Sequence, residues 1–85
     1  MAQIRVYSTA WCGYCTAAKR FLTDVKKVSF EEIDVTRDQD TRRWLRETTG
    51  QHTVPQIFVG ATHVGGYTDL RALDASGGLD PLLRG

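Results

Sequence analysis

The chain has 85 residues, of which 41% are hydrophobic and 25% are charged, and its net charge is +1. This composition is typical of one globular domain spanning residues 1–85. It offers neither the basic surface that binds nucleic acid nor the apolar run of about 18 residues that spans a membrane. Residues 1–8, MAQIRVYS, lack the apolar core of a signal peptide. We therefore expect a cytoplasmic protein.

The hydrophobic pattern predicts the element order β-α-β-α-β-β-α. Strands are expected at QIRVY, VSFEEIDV, PQIFVG and THVGG. The first helix is predicted from Tyr14 to about Lys26, and the second over DQDTRRWLRETTG. The third, TDLRALDASGG, is predicted to begin with Thr68 as its N-cap, and DPLLRG to add a turn with Pro81 at the first helical position.

Helical spacing also predicts which side chains are buried. In the first helix the apolar positions are Ala17, Ala18, Phe21, Leu22 and Val25. In the second helix we expect Trp44 and Leu45 to lie in the core. The two histidines, His52 and His63, read as ordinary loop and strand residues.

This element order predicts an α/β fold with a four-stranded mixed sheet flanked by helices. A β-α-β start implies two parallel strands joined by a right-handed crossover, and the closing hairpin adds antiparallel strands. Both cysteines, Cys12 and Cys15, fall where the first strand gives way to the first helix. Functional sites of open α/β sheets lie at such strand ends.

A Cys-x-x-Cys pair can serve as a metal site, a structural cross-link or a redox centre. A zinc site needs two further ligands, and His52 and His63 stand at none of the usual spacings. A bridge between Cys12 and Cys15 closes a loop too small to add much stability. Redox chemistry is therefore favoured, since helix-start N–H groups and the helix dipole lower the pKa of a thiol at the position of Cys12.

Three segments together resemble the glutaredoxin family, and within it the bacterial dithiol proteins of type 3. They are WCGYC at the first strand–helix junction, TVPQIFV from Thr53, and GGYTDLRALDASGGLDPLL from Gly65. The resemblance covers essentially the whole chain and implies a thioredoxin fold. It also implies a glutathione-dependent thiol–disulfide oxidoreductase, which reduces protein–glutathione mixed disulfides and some protein disulfides.

The resemblance assigns the nucleophile to Cys12 and the resolving thiol to Cys15. Pro55 is expected in the cis form, which turns the Val54 backbone toward the sulfur to pair with the cysteine of glutathione. The γ-glutamyl end is expected at the helix start of Thr68 and Asp69, and the glycine carboxylate at Arg42. The full expected glutathione site comprises Tyr14, Arg42, Thr53, Val54, Pro55, Gly66, Thr68 and Asp69. Tyr67 is expected to touch the ligand only through its backbone.

Two positions depart from the common family pattern. Gly13 replaces the proline of the familiar CPYC sequence, and Thr9 replaces a lysine that contacts the glycine carboxylate and stabilises the thiolate. Gly13 keeps an alternative open, because glutaredoxins with glycine there can hold a [2Fe–2S] cluster between two subunits, each giving Cys12 and a bound glutathione. Such a dimer would act as a cluster carrier or redox sensor.

A further alternative is a thioredoxin-like reductant that has no glutathione site. For the favoured function the implied partners are glutathione and glutathionylated or disulfide-containing proteins, with ribonucleotide reductase as a candidate. Neither nucleic acid nor membrane is expected as a partner. The protein is expected to be a monomer and to dimerise only around a cluster.

Overall fold

A computed structural model of the chain describes residues 2–85. Its elements follow the predicted order, with one short helix added at the end. The strands are β1 (Ile4–Ser8), β2 (Glu31–Asp34), β3 (Gln56–Val59) and β4 (Thr62–Gly65). The helices are α1 (Gly13–Arg20), α2 (Gln39–Thr49), α3 (Tyr67–Ala75) and α4 (Leu79–Arg84), and a π-helical turn over Phe21–Val25 continues α1.

The four strands form one mixed sheet in the order β2-β1-β3-β4. β1 pairs in parallel with β2 and antiparallel with β3, and β3 pairs antiparallel with β4. The predicted α/β class and mixed sheet are therefore confirmed. Because β1 is a central strand, the segment from Thr9 to Cys12 leaves the sheet at the middle of one end.

Alternation along the strands divides the core between the two faces of the sheet. Ile4 and Val6 of β1 face the larger cluster, together with Ile57 of β3. Tyr7 and Phe58 face the smaller cluster on the other side. Helices α1, α3 and α4 cover the larger cluster with Ala18, Phe21, Leu22, Leu70, Leu79 and Leu83, whereas α2 contributes Leu45 to the smaller one.

Both ends of α2 are set by local sequence, and they fall at the first and last residues of the predicted segment DQDTRRWLRETTG. The Asp38 side chain accepts a hydrogen bond from Thr41 N at 3.0 Å, which satisfies one free N–H of the first turn. At the other end Gly50 takes the left-handed conformation, with φ 73°, that commonly ends a helix.

The predicted starts of the last two helices are wrong. The N-cap of α3 is Gly66 rather than Thr68, which lies inside the first turn. Helix α4 begins at Leu79, so Pro81 is its third residue and not its first. The N–H groups of the first helical turn have no partner within the helix. Thr68, and Pro81 with its missing N–H, therefore fit inside the first turn as well as at its start, so both helices can begin earlier.

Two burial predictions are also wrong. Val25 is 62% exposed, and Trp44 is 42% exposed. Val25 lies in the π-helical turn, where Lys26 N donates to Phe21 O five residues back, so the wider turn rotates Val25 off the buried face. Trp44 packs its ring at the rim of the smaller cluster, 5.8 Å from the Tyr7 ring centre, and only Leu45 enters that core.

Within residues 2–85, no helix is both long and apolar enough to cross a membrane.

Candidate active site

Cys12 and Cys15 lie at the start of α1 and are joined by a disulfide, with their Cα atoms 5.2 Å apart. Cys12 is the N-cap and remains half-buried, whereas Cys15 is only 1% exposed. The structure therefore describes the oxidised form of the pair. The accessible sulfur is the one at the helix start, and the second sulfur lies beneath it.

Helix polarity acts directly on the Cys12 sulfur. The Cys15 N–H donates to Cys12 Sγ at 3.1 Å, as expected for a first-turn amide. In the reduced state this hydrogen bond and the helix dipole favour the thiolate. The nearby Lys19 does not take over the role of the family lysine that Thr9 replaces, because the Lys19 Nζ is bound to Glu32 Oε2 at 2.7 Å. The local field at Cys12 therefore comes from the helix start.

A side-chain brace holds the loop before Cys12. The Thr36 hydroxyl donates to Asp34 Oδ1 at 2.6 Å and accepts from Ala10 N at 2.8 Å. The hydrogen bonds from the Thr36 side chain and backbone also lower the pKa of Asp34, so the carboxylate stays ionised and keeps the hydroxyl oriented. Trp11 follows this brace and is fully exposed, with a φ of 62°.

The loop before β3 approaches the sulfur from the other side. The Val54–Pro55 peptide bond is cis, as expected. The Val54 carbonyl oxygen lies 3.8 Å from Cys12 Sγ. The backbone of Val54 is thus presented directly beside the reactive sulfur.

Beside this loop lies a groove of about 340 Å³. Its floor and walls come from the start of α1, the loop around Pro55 and the start of α3. The structure brings together here seven of the eight residues expected to bind glutathione. The groove is lined by Tyr14, Gln51, Thr53, Val54, Pro55, Gly66, Tyr67, Thr68 and Asp69.

Asp69 is fixed in this groove by the helix start. Its Oδ2 accepts a hydrogen bond from Gly66 N at 3.0 Å. Gly65 has a φ of 114°, and a side chain there would clash with the Asp69 carboxyl group. Glycine at position 65 therefore leaves the space in which Asp69 closes the turn.

Arg42 is the one expected residue outside the groove. It projects from α2 at intermediate exposure and lines an adjoining depression with Gln51, Thr53 and Val54. The two depressions share those three residues, so Arg42 stands at one end of a continuous surface and Asp69 at the other.

Sequence reasoning missed Gln51 and Gln56 and underestimated Tyr67 and His63. Gln51 and Tyr67 line the groove, and the Tyr67 ring lies 6.3 Å from the Tyr14 ring centre. Gln56 is fully buried beneath the loop and hydrogen-bonds to His63. A polar residue inside an otherwise apolar strand, PQIFV, is the signal that could have identified Gln56.

A polar cluster borders Cys12 on the side away from the groove. Glu32 accepts hydrogen bonds from Lys19 and from the buried Ser8, both at 2.7 Å. These two hydrogen bonds lower the pKa of Glu32, that from Lys19 more strongly. The cluster ties β1, β2 and α1 together next to the cysteines. Within residues 2–85, no three potential metal-ligating side chains lie together.

Comparison with known proteins places this site in a family. The model of the family described as glutaredoxin matches residues 4–64. Glutaredoxin 3 of Escherichia coli is 46% identical over 84 residues, covering 99% of this chain and 100% of that protein. A glutaredoxin of Pseudomonas aeruginosa is 47% identical over 83 residues, which is 98% of each chain.

Solved structures give the same result. The crystal structure of a buckwheat glutaredoxin–glutathione complex has a TM-score of 0.88 at 31% identity, covering 98% of this chain and 77% of that one. The solution structure of a glutaredoxin from Brucella melitensis has a TM-score of 0.86 at 42% identity, covering 98% and 89%. With its thioredoxin fold and disulfide-forming Cys12–Cys15 pair, the chain belongs to the glutaredoxin family of thiol oxidoreductases.

Proposed function

We propose that the protein is a glutathione-dependent thiol–disulfide oxidoreductase that reduces protein–glutathione mixed disulfides through Cys12. The observation that carries this proposal is the groove beside the Cys12 sulfur, which is bordered by the Val54 backbone and Asp69. The similar buckwheat glutaredoxin was crystallised with glutathione. This similarity supports glutathione binding in the groove of the present protein.

The chemistry of glutathione matches the groove from end to end. Its cysteine would pair with the backbone N–H and C=O of Val54, in the manner of an added strand. The free N–H groups of Thr68 and Asp69 at the start of α3 suit the γ-glutamyl carboxylate, and the Asp69 carboxylate suits its ammonium group. Arg42 suits the glycine carboxylate, and the exposed Tyr14 ring would pack beside the peptide.

The reaction is an exchange of disulfide partners. The Cys12 thiolate attacks the glutathione sulfur of the mixed disulfide, and the protein thiolate leaves with the electron pair and takes a proton from water. A second glutathione thiolate then attacks the glutathione sulfur bound to Cys12. This step releases oxidised glutathione and restores the Cys12 thiolate, whose charge the Cys15 N–H and the helix dipole stabilise.

Protein disulfides would follow the second route. Cys12 forms a mixed disulfide with one protein sulfur, and the buried Cys15 thiolate attacks Cys12 to release the protein. The product is the Cys12–Cys15 disulfide that the structure contains. Glutathione then reduces this bridge in two exchanges.

The proposal places this reaction in the cytoplasm, because a Cys-x-x-Cys pair used as a reductant needs a reducing compartment. Its partners are glutathione and glutathionylated or disulfide-containing proteins, including ribonucleotide reductase as a candidate. Residues 1–85 act as one domain and as a monomer in this scheme. Lys19 and Glu32 line an open depression together with Cys12, which leaves room for a large substrate at the sulfur.

Glutathione-dependent reduction of a small mixed disulfide tests the proposal, with wild type, Cys12→Ser and Cys15→Ser compared. We expect Cys12→Ser to have no activity, because serine is a far weaker nucleophile and leaving group in this exchange. Cys15→Ser should retain activity, because glutathione itself resolves the intermediate. An inactive wild type, or an active Cys12→Ser variant, would contradict the proposal.

The two alternatives make different predictions. A reductant without a glutathione site would be indifferent to Arg42→Ala and Asp69→Ala, whereas the proposal expects both changes to raise the KM for glutathione. The [2Fe–2S] alternative predicts a brown, dimeric protein with visible absorption after anaerobic purification, whereas the proposal expects a colourless monomer.

A further inference from the structure

Gln56 is a fully buried polar side chain whose role the cysteine chemistry does not explain. It is the first residue of β3, is 0% exposed, and lies on the same face as Phe58. Both ends of its amide have partners. Nε2 lies 2.9 Å from the Thr53 carbonyl oxygen and 2.9 Å from Gln51 Oε1, and Oε1 lies 2.7 Å from His63 Nε2.

These partners fix the orientation of the amide. A carbonyl oxygen can only accept a hydrogen bond, so the NH₂ group of Gln56 must face Thr53. Its Oε1 therefore faces His63, whose Nε2 must carry the proton. The His63 ring is itself held against Phe58, with the ring centres 5.0 Å apart. The donor that faces Thr53 is thus anchored through His63 to the hairpin of β3 and β4.

The segment that Gln56 holds leads directly to the reactive sulfur. Thr53 precedes Val54, whose carbonyl oxygen lies 3.8 Å from Cys12 Sγ. Among residues 2–85, the backbone of residues 51–55 makes no backbone-to-backbone hydrogen bond with a turn, loop or cap. Its position therefore depends on side chains: the Thr49 hydroxyl holds the Gln51 backbone, and Gln56 Nε2 donates to the Thr53 carbonyl next to Val54.

We propose that Gln56 is a positioning residue for glutathione binding. It holds the Val54 backbone in the place where that backbone pairs with the bound tripeptide beside Cys12. This inference rests on the proposed function. The Gln56 amide touches neither substrate nor sulfur and acts through the Thr53 carbonyl. His63 serves the same purpose one step further away, by keeping the amide from rotating.

Two substitutions at position 56 remove the amide N–H donor while they keep the volume of the side chain. Gln56→Glu keeps the shape and an acceptor for His63 but has no N–H for Thr53. Gln56→Met has a similar volume and no hydrogen bonds. We expect kcat/KM for glutathione to fall about tenfold in both, roughly the effect of losing one net hydrogen bond, mainly through a higher KM. Gln39→Met, an exposed change in α2, is the matched control and should leave kcat/KM unchanged.

Alkylation of reduced Cys12 by iodoacetamide supplies the second readout. This reaction needs the thiolate and the helix start but not the glutathione groove. We expect its rate to stay within about twofold of wild type in both Gln56 variants. An equal loss in alkylation and in glutathione turnover would overturn the inference, because general damage to the site would produce it.

The Gln56 variants could fail to fold because the side chain is buried. In that case His63→Phe provides an independent test. Phenylalanine retains a ring to pack on Phe58 but has no N–H for Gln56 Oε1. We expect the KM for glutathione to rise about threefold, with kcat little changed. If His63→Phe and any folded Gln56→Glu protein bind glutathione like wild type, the inference fails while the proposed function stands. A wild type that shows no glutathione dependence overturns the proposed function itself.

Discussion

Asp69 illustrates how one side chain can serve structure and function together. Its carboxylate accepts the Gly66 N–H at 3.0 Å and so satisfies a free donor at the start of α3. The same group faces the groove beside Cys12, where the proposed glutathione ammonium would bind. A substitution at position 69 therefore has two effects, which must be separated by the choice of replacement.

Asp69→Asn and Asp69→Ala form a matched pair for this purpose. The asparagine oxygen can still accept from Gly66 N, so we expect a stability change below about 0.5 kcal/mol, whereas alanine loses the cap and costs about 1 kcal/mol. Both remove the negative charge, so both should raise the KM for glutathione, by about tenfold. Urea unfolding and steady-state kinetics measure the two effects. Equal KM values for Asp69→Asn and wild type would show that the charge does not bind the ligand.

The end of the first helix shows how local backbone geometry controls burial. Ala18 in α1 and Leu22 in the π-helical turn are both 0% exposed. Val25, which an unbroken α-helix would place on the same face, is 62% exposed. The i to i+5 hydrogen bond from Lys26 N to Phe21 O marks the wider turn, which buries Leu22 and leaves Val25 exposed.

Alanine substitutions at Leu22 and Val25 test this account. Leu22→Ala should lower the free energy of unfolding by about 2 to 5 kcal/mol, because it removes a side chain packed between α1 and the sheet. Val25→Ala should change it by less than about 0.5 kcal/mol, because the side chain is largely in water. Chemical denaturation of the reduced proteins provides both values. A large effect at Val25 would mean that the helix continues as an α-helix.

At the scale of the whole molecule, ionic contacts join elements that also pack on the hydrophobic core. Lys26 Nζ binds Asp74 Oδ1 of α3 at 2.6 Å and Asp80 Oδ1 of α4 at 2.8 Å. The hydrogen bonds that Lys26 donates to Asp74 and, less strongly, to Asp80 raise the pKa of Lys26. On the opposite side, Glu32 joins β2 to Lys19 of α1 and Ser8 of β1.

The Glu32 contacts make stability depend on pH. Hydrogen bonds from Lys19 and Ser8 lower the pKa of Glu32 below its ordinary value of 4.5, so the folded state favours the ionised form. This stabilisation is fully present above pH 4.5 and is lost as the pH falls through the lower folded pKa.

We therefore expect wild type to lose more stability than Glu32→Gln between about pH 5.5 and about pH 2.5. Urea unfolding at a series of pH values gives the comparison. Parallel curves for the two proteins would contradict the expectation. Glu47→Gln, the same substitution at an exposed position of α2, is the matched control and should follow the wild-type curve.

The sequence by itself determined the order of the elements, the mixed sheet and the place of Cys12 and Cys15 at a strand–helix junction. These features follow from local rules, since strand alternation, helical spacing and the Gly50 helix end each depend on a few neighbouring residues. The segments WCGYC, TVPQIFV and GGYTDL also identified the family and seven of the nine residues that line the groove: Gln51 was missed, and Tyr67 was given only a backbone role.

Tertiary structure alone decided the burial of Val25 and Trp44, the start of α3 at Gly66, and the hydrogen bonds of Gln56. Each depends on atoms that are distant in sequence or on which of several local hydrogen bonds wins when the helix packs. Gln56 is buried only because β3 is central in the sheet, and its polar atoms are tolerated only because Thr53 and His63 supply partners. No local pattern encodes that set of partners, so the structure was needed to find it.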